Sequence, residues 1–179
     1  MLKRIKTEPS PTAPTSRRLL VVDDHSDAGH LIGQLLRRAN YEIAELGDHH
    51  GAVSTLIALD EPVAGVLACF STAGTGACLR LLDTLRNHHD PRLHNLRVLL
   101  ISDQSRQQIF CLQAGADGIL LRPFTDVELV DAVEEMVKRP EAERLEYRRS
   151  MVDRIKSDAS LLPDPMAPVQ APTGTSNWF

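Results

Sequence analysis

Aromatic side chains make up 4% of this 179-residue chain, so its core has to be built from Leu, Val, Ile and Ala rather than from packed rings. No apolar run approaches the roughly 18 residues a membrane-spanning helix needs. The opening MLKRIKTEPSPTAPTSRR is basic, but no apolar stretch follows it, which argues against a secretory signal. The 3 cysteines, Cys69, Cys78 and Cys111, are an odd number without metal-like spacing and fit a reducing cytosol. There is no Gly-rich phosphate loop and no nucleophile paired with a base, so the expectation is a soluble, cytoplasmic protein that is not an enzyme. The most pointed absence is local: no Asp or Glu occurs between Glu61 and Asp83.

Hydrophobic residues reach 42%, ordinary for a globular protein, and the net charge of −4 is unevenly spread. Residues 1–18 carry Lys3, Arg4, Lys6, Arg17 and Arg18 against Glu8, a local sum of +4. Without interleaved aromatics this arm reads as a solvated tail, and nucleic-acid binding is not expected of it. Pro9, Pro11 and Pro14 among Ser and Thr mark residues 1–16 as a flexible leader. Residues 163–179 hold four prolines and read as a disordered tail. Trp178, the only tryptophan, and Phe179 close that tail, either as a chance ending or as a short aromatic docking motif.

Between the tails, strand and helix patterns alternate. LLVVD (19–23) is a continuous apolar run, as in a strand covered on both faces. Ala28, Leu31, Ile32, Leu35 and Leu36 then recur at helical spacing until Asn40. YEIAEL (41–46), VAGVLACF (63–70), RVLLIS (97–102) and GILL (118–121) supply four more strands. Helices are expected at 51–59, 76–87, 104–114 and 125–139, the last capped by Thr125 or Asp126. Five βα units over residues 17–138 imply an α/β domain: a five-stranded parallel sheet with right-handed crossovers and helices on both faces. After Pro140, residues 141–162 form one more helix. Leu145, Val152, Ile155, Ala159 and Leu162 fall at near-heptad spacing, too short to establish a coiled coil; the helix either packs back on the domain or dimerises.

In an open parallel sheet, ligands sit beyond the carboxyl ends of the central strands. Those ends read Asp23-Asp24, Ala68-Cys69, Ser102 and Arg122-Pro123-Phe124. With VVDDH after the first strand and AGADGILLRPF (114–124) around the fifth, residues 17–138 resemble the receiver domain of two-component response regulators, a flavodoxin-like doubly wound fold. The resemblance implies that Asp23 and Asp24 match the pair that holds Mg2+, that Ser102 matches the hydroxyl that meets a phosphoryl group, and that Gly76 ends the loop after the third strand. Arg122 stands where receivers have lysine, and Pro123 follows it in a peptide that is usually cis. Counting back from Gly76 puts Ala68 where the phosphoacceptor aspartate belongs, and with no acid from 62 to 82 no change of register restores one.

Further departures agree. A planar guanidinium does not replace a compact ammonium. Ile119 replaces the aromatic that reports phosphorylation, and the segment from Ser102 to Gly115 is about two residues short of the family pattern. With one carboxylate missing, Mg2+ binding at Asp23 and Asp24 is expected to be vestigial and weak, and no other cofactor is implied. Arg122 is expected to pair with Asp23 or Asp24 and fill the pocket, while Asp24 or Ser26 caps the first helix. His49-His50 and His88-His89, with Asp90 and His94, lack helical ligand spacing and read as solvated loops. Cys69 reads as an inert buried thiol rather than a redox sensor.

The function this implies is a pseudo-receiver, an aspartate-less, phosphorylation-independent protein-interaction module of two-component signalling. Its partner would be a histidine kinase, a regulator or an enzyme, or a second copy through the last helix or the face of the fourth helix, fifth strand and fifth helix. Phe110, Ile119 and Phe124 are the residues of that face expected to make contact. The alternatives are a transcriptional regulator or nucleic-acid binder using its extensions, and a pocket that holds a small anion or metabolite against Ser102 and Arg122.

Overall fold

The computed structural model describes residues 16–70 and 75–160. The expected leader, apart from Ser16, and the expected tail with Trp178 and Phe179 lie outside the described residues. Five strands, β1 (Arg18–Val22), β2 (Glu42–Leu46), β3 (Gly65–Phe70), β4 (Val98–Ser102) and β5 (Gly118–Leu121), form one parallel sheet in the order β2-β1-β3-β4-β5. The connecting helices are α1 (Ser26–Arg38), α2 (Ala52–Ala58), α3 (Thr75–Arg86), α4 (Gln108–Gln113) and α5 (Asp126–Lys138), with α6 (Glu141–Ser160) following. This is the five-stranded doubly wound architecture that the alternating pattern implies. None of the described helices is long and apolar enough to cross a membrane.

The continuous apolar strands are explained by the two faces they serve, because side chains alternate along a strand. Leu20, Val22, Val66, Ala68, Val98 and Leu100 face α2, α3 and the Cys111 turn of α4. Leu19, Val21, Leu67, Cys69, Leu99 and Ile101 face Ile32 and Leu36 of α1 and Leu129, Val133 and Met136 of α5. Helix α1 ends as expected, with Asn40 in the left-handed region at φ 64. Thr125 caps α5 in a full capping box with Glu128.

Three local expectations change. The helix expected over 104–114 begins as a 3-10 turn, Ser105–Gln107, and is α-helical only over Gln108–Gln113. The loop containing His88, His89 and His94 includes a helical turn, Pro91–His94, whose N-cap Asp90 accepts a hydrogen bond from the Arg92 N–H at 2.9 Å. Pro at the first helical position and Asp before it are the sequence signal for that turn. Neither Asp24 nor Ser26 is the N-cap of α1. His25 holds that position without a side-chain cap bond, and Ser26 is the first helical residue.

Helix α6 packs back on its own domain. Arg144 forks onto Asp117 at 2.8 and 2.7 Å, and also donates to the carbonyls of Asn95 and Leu96. Arg148 donates to the Gly115 carbonyl at 2.9 Å, and Val152 is buried. Arg86 of α3 joins the same carboxylate at 3.0 Å, and the Val98 N–H donates to it at 2.9 Å. Gly115, at φ +106, lies under the Arg86 side chain; a Cβ there would sit 2.9 Å from Arg86 Nε. Of the expected heptad set, Val152 is buried, Ile155 is half-buried and Leu145 is exposed, and Leu162 lies outside the described residues.

Asp117 is 1% exposed, and removing it would strand buried guanidiniums. Asp117→Ala is expected to lower stability by about 3–5 kcal/mol. Arg148→Ala, which leaves the fork from Arg144 intact, should cost clearly less. Urea denaturation of both variants beside the unaltered chain checks the order.

Candidate functional site

The parallel sheet brings the carboxyl ends of β1, β3, β4 and β5 to one edge, and the side chains there make a single cluster. Asp23, just past β1, is 3% exposed. One of its oxygens accepts the His25 N–H at 2.9 Å and the other meets Arg122 Nη2 at 3.3 Å. Arg122 thus pairs with Asp23, as the sequence suggests. It also reaches Asp103 at 3.5 Å, a partner the sequence reading missed. Asp103 directly follows Ser102 at the end of β4, which is the signal that could have pointed to it. Arg122 is held in place by its own main chain, whose N–H donates to the Ser102 carbonyl at 2.9 Å. The Arg122-Pro123 peptide is cis. Helix α1 passes so close to Asp23 that a Cβ on Gly29 would lie 3.0 Å from the Asp23 Cβ.

β3 contributes no carboxylate to this edge. Ala68 stands in register with Val22 and Leu100 and is fully buried in the cluster facing α2 and α3. The next side chain, Cys69, faces Asp23 and Arg122. Burial first, then the charge and hydrogen bond of Asp23, hold its thiol well above the ordinary range. That makes Cys69 a poor nucleophile. Ser102 is buried, and its hydroxyl is engaged within its own loop, accepting the Gln104 N–H at 3.1 Å.

His49 corrects an expectation. Read as a solvated loop histidine, it is instead 5% exposed, and its Nε2 has no hydrogen-bond partner among the described residues. Burial pushes its pKa down against the opposing pull of Asp24, the Cys69 main chain and Asp23. It therefore belongs to the same cluster. The loop Gly47–His50 ends the polar edge, where alternation is silent about burial. His50 beside it is exposed and pairs with Asp48 at 2.9 Å.

Among the described residues, Asp23, Asp24 and His25 are the group whose ligand atoms lie within 4.8 Å of one another. They do not fit Mg2+ well. Mg2+ asks for a near-octahedral set of oxygens, whereas Asp23 is already engaged by Arg122 and the His25 N–H, the third donor is an imidazole, and β3 offers a methyl and a thiol.

Phe110 on α4 is 58% exposed. Ile119 and Phe124 are half-buried, Ile119 against the cluster on the α2–α3 side and Phe124 against the cluster under α1 and α5.

Comparison with known proteins agrees with this geometry. The family profile described as the response regulator receiver domain matches residues 19–134. The chain belongs to this family. It is 23% identical over 124 residues to the phosphate regulon transcriptional regulatory protein PhoB of Escherichia coli, covering 69% of this chain and 53% of that protein. The receiver thus spans about half the length of that relative. It is 26% identical over 125 residues to the chemotaxis protein CheY-3 of Vibrio cholerae, covering 68% of this chain and 92% of that one. Among solved structures, a signal receiver domain from Bermanella marisrubri superposes with a TM-score of 0.60 at 23% identity, covering 69% of this chain and 99% of its own. The chemotaxis response regulator CheY4 of Vibrio cholerae gives 0.58 at 18% identity, covering 68% and 99%.

Two outcomes test the state of this receiver edge. His49 is buried with a lowered pKa, so the unfolded chain binds the proton more tightly. Its share of stability is complete above about pH 6.5, the ordinary histidine value, and is lost as pH falls from there toward the folded pKa. Urea midpoints followed down through that range should fall, and His49→Leu should flatten the slope. Burial also lifts Cys111 to about 11 and Cys78 further. No thiol of the native chain should react with a disulfide reagent near neutrality, and all three should react in denaturant.

Proposed function

We propose that this response regulator is a pseudo-receiver that signals without accepting a phosphoryl group and works by docking to protein partners. The observation that carries the reading is the edge of β3. Between Glu61 and Asp83 the chain has no carboxylate, and position 68, which the family pattern gives to the phosphoacceptor, holds a buried alanine. The Arg122–Asp23 pair supports it, because a fixed cation occupies the carboxylate that a metal would need. The raised pKa of the Cys69 thiol leaves the cluster without an activated nucleophile, which supports a non-enzymatic module; a cytoplasmic setting is part of the same reading. The partner is a histidine kinase, another regulator or an enzyme. Phe110, the exposed aromatic of α4, is one point of contact on the face of α4, β5 and α5.

A phosphoryl donor tests this directly. Acetyl phosphate with Mg2+, or a beryllofluoride mimic, should give the unaltered chain no phosphoryl mass gain and no change in its amide spectrum. Ala68→Asp places a carboxylate among Val22, Val66 and Leu100, which costs stability unless a cation meets it. That variant should be less stable than the parent with or without Mg2+, because the new carboxylate faces α2 and α3 whereas Asp23 lies against α1. Modification of the unaltered chain would overturn the reading.

A further inference from the structure

At the opposite end of the sheet from Asp23 and Arg122, α6 builds a surface with an unbalanced charge. Arg86, Arg144 and Arg148 converge on the one carboxylate of Asp117. Three guanidiniums on one carboxylate leave two positive charges without an acidic partner there. Arg149, next along α6, is exposed and carries no ion pair among the described residues. Arg86, Arg148 and Arg149 line a groove of about 700 Å3 between the end of α4 and α6, with Leu112 and Val152 in its floor. Leu145 forms its wall and stays 51% exposed although it is a large apolar side chain. Asp153 is the one carboxylate on the rim.

We propose that this groove docks an acidic amphipathic helix of a protein partner. The apolar face of that helix would pack on Leu112, Leu145 and Val152, and its flanking carboxylates would meet Arg148 and Arg149. A groove between two helices, apolar below and charged at the rim, is the form that accepts a helix by anchors one turn apart. Excess positive charge around it selects acidic over basic segments, and does so most strongly where the arginines are partly withdrawn from water. A second copy of this chain suits the groove less well, because the acidic and basic side chains of α6 balance, whereas the groove sets three arginines against the single carboxylate of Asp153. The inference rests on the reading of this chain as a docking module and names the surface and the partner chemistry.

The test uses the full chain and two fluorescently labelled peptides. One is an amphipathic helix of Leu, Ala and Glu, with Leu on one face and Glu on its flanks. The other carries Lys in place of Glu. Anisotropy should show binding of the acidic peptide, weakened by added salt, and none of the basic one. Leu145→Asp and Arg149→Glu should each weaken binding roughly tenfold or more. Arg106→Glu, at an exposed arginine before α4 and outside the groove, should leave it unchanged. Amide shifts on binding should centre on Gln113–Gly115 and Leu145–Asp153. The proposal fails if the acidic peptide does not bind, if the basic one binds equally, or if Leu145→Asp and Arg149→Glu change nothing. It also fails if sedimentation shows a dimer that Leu145→Asp dissolves, which would assign the groove to a second copy. The phosphoryl-donor experiment reads position 68 and not the groove, so either conclusion can fail while the other stands.

Discussion

A carboxylate taken out of water has to be met by a cation or by hydrogen-bond donors, and among the described residues this molecule buries two, one at each end of its sheet. Asp23 lies past the carboxyl end of β1 and Asp117 lies before the amino end of β5. Each organises the residues around it. Asp23 fixes Arg122, and through Arg122 it engages Asp103. Asp117 gathers arginines from α3 and α6 and so determines where the last helix lies.

At the first end the pairing engages the groups that line the pocket. In the receiver family the cluster of strand-end carboxylates is where a metal and a phosphoryl group would meet. Here the arginine is already committed, the hydroxyl of Ser102 is engaged in its own loop, and β3 presents an alanine methyl and a protonated thiol. His49 closes over the cluster as a buried side chain. The edge keeps the family's shape while its polar groups satisfy one another, and that is why we read it as a fixed surface rather than a switch.

At the second end the pairing is lopsided. Three arginines around Asp117 hold α6 firmly, since Arg144 forks onto both carboxylate oxygens and also reaches two main-chain carbonyls. They also leave positive charge beside an apolar groove. Because the two ends are separated by the length of the strands, binding in the groove does not require any change at the Asp23 edge.

The sequence by itself determined the alternation of strands and helices and the parallel sheet; it implied the cis Arg122-Pro123 peptide, and narrowed the cap of α5 to Thr125 or Asp126 and the partner of Arg122 to Asp23 or Asp24. These follow from local periodicity, from near-neighbour chemistry and from the family pattern, all of which are written along the chain. Tertiary structure alone decided that His49 is buried, that Ile119 and Phe124 are half-buried while Phe110 is exposed, and that Asp103 joins Arg122. It also decided that α6 docks through Asp117, more than twenty residues before Arg144 in the chain. Spacing says which residues share a face of one element. It does not say which elements a carboxylate between them will draw together, because that depends on which charges lose their water when the chain closes.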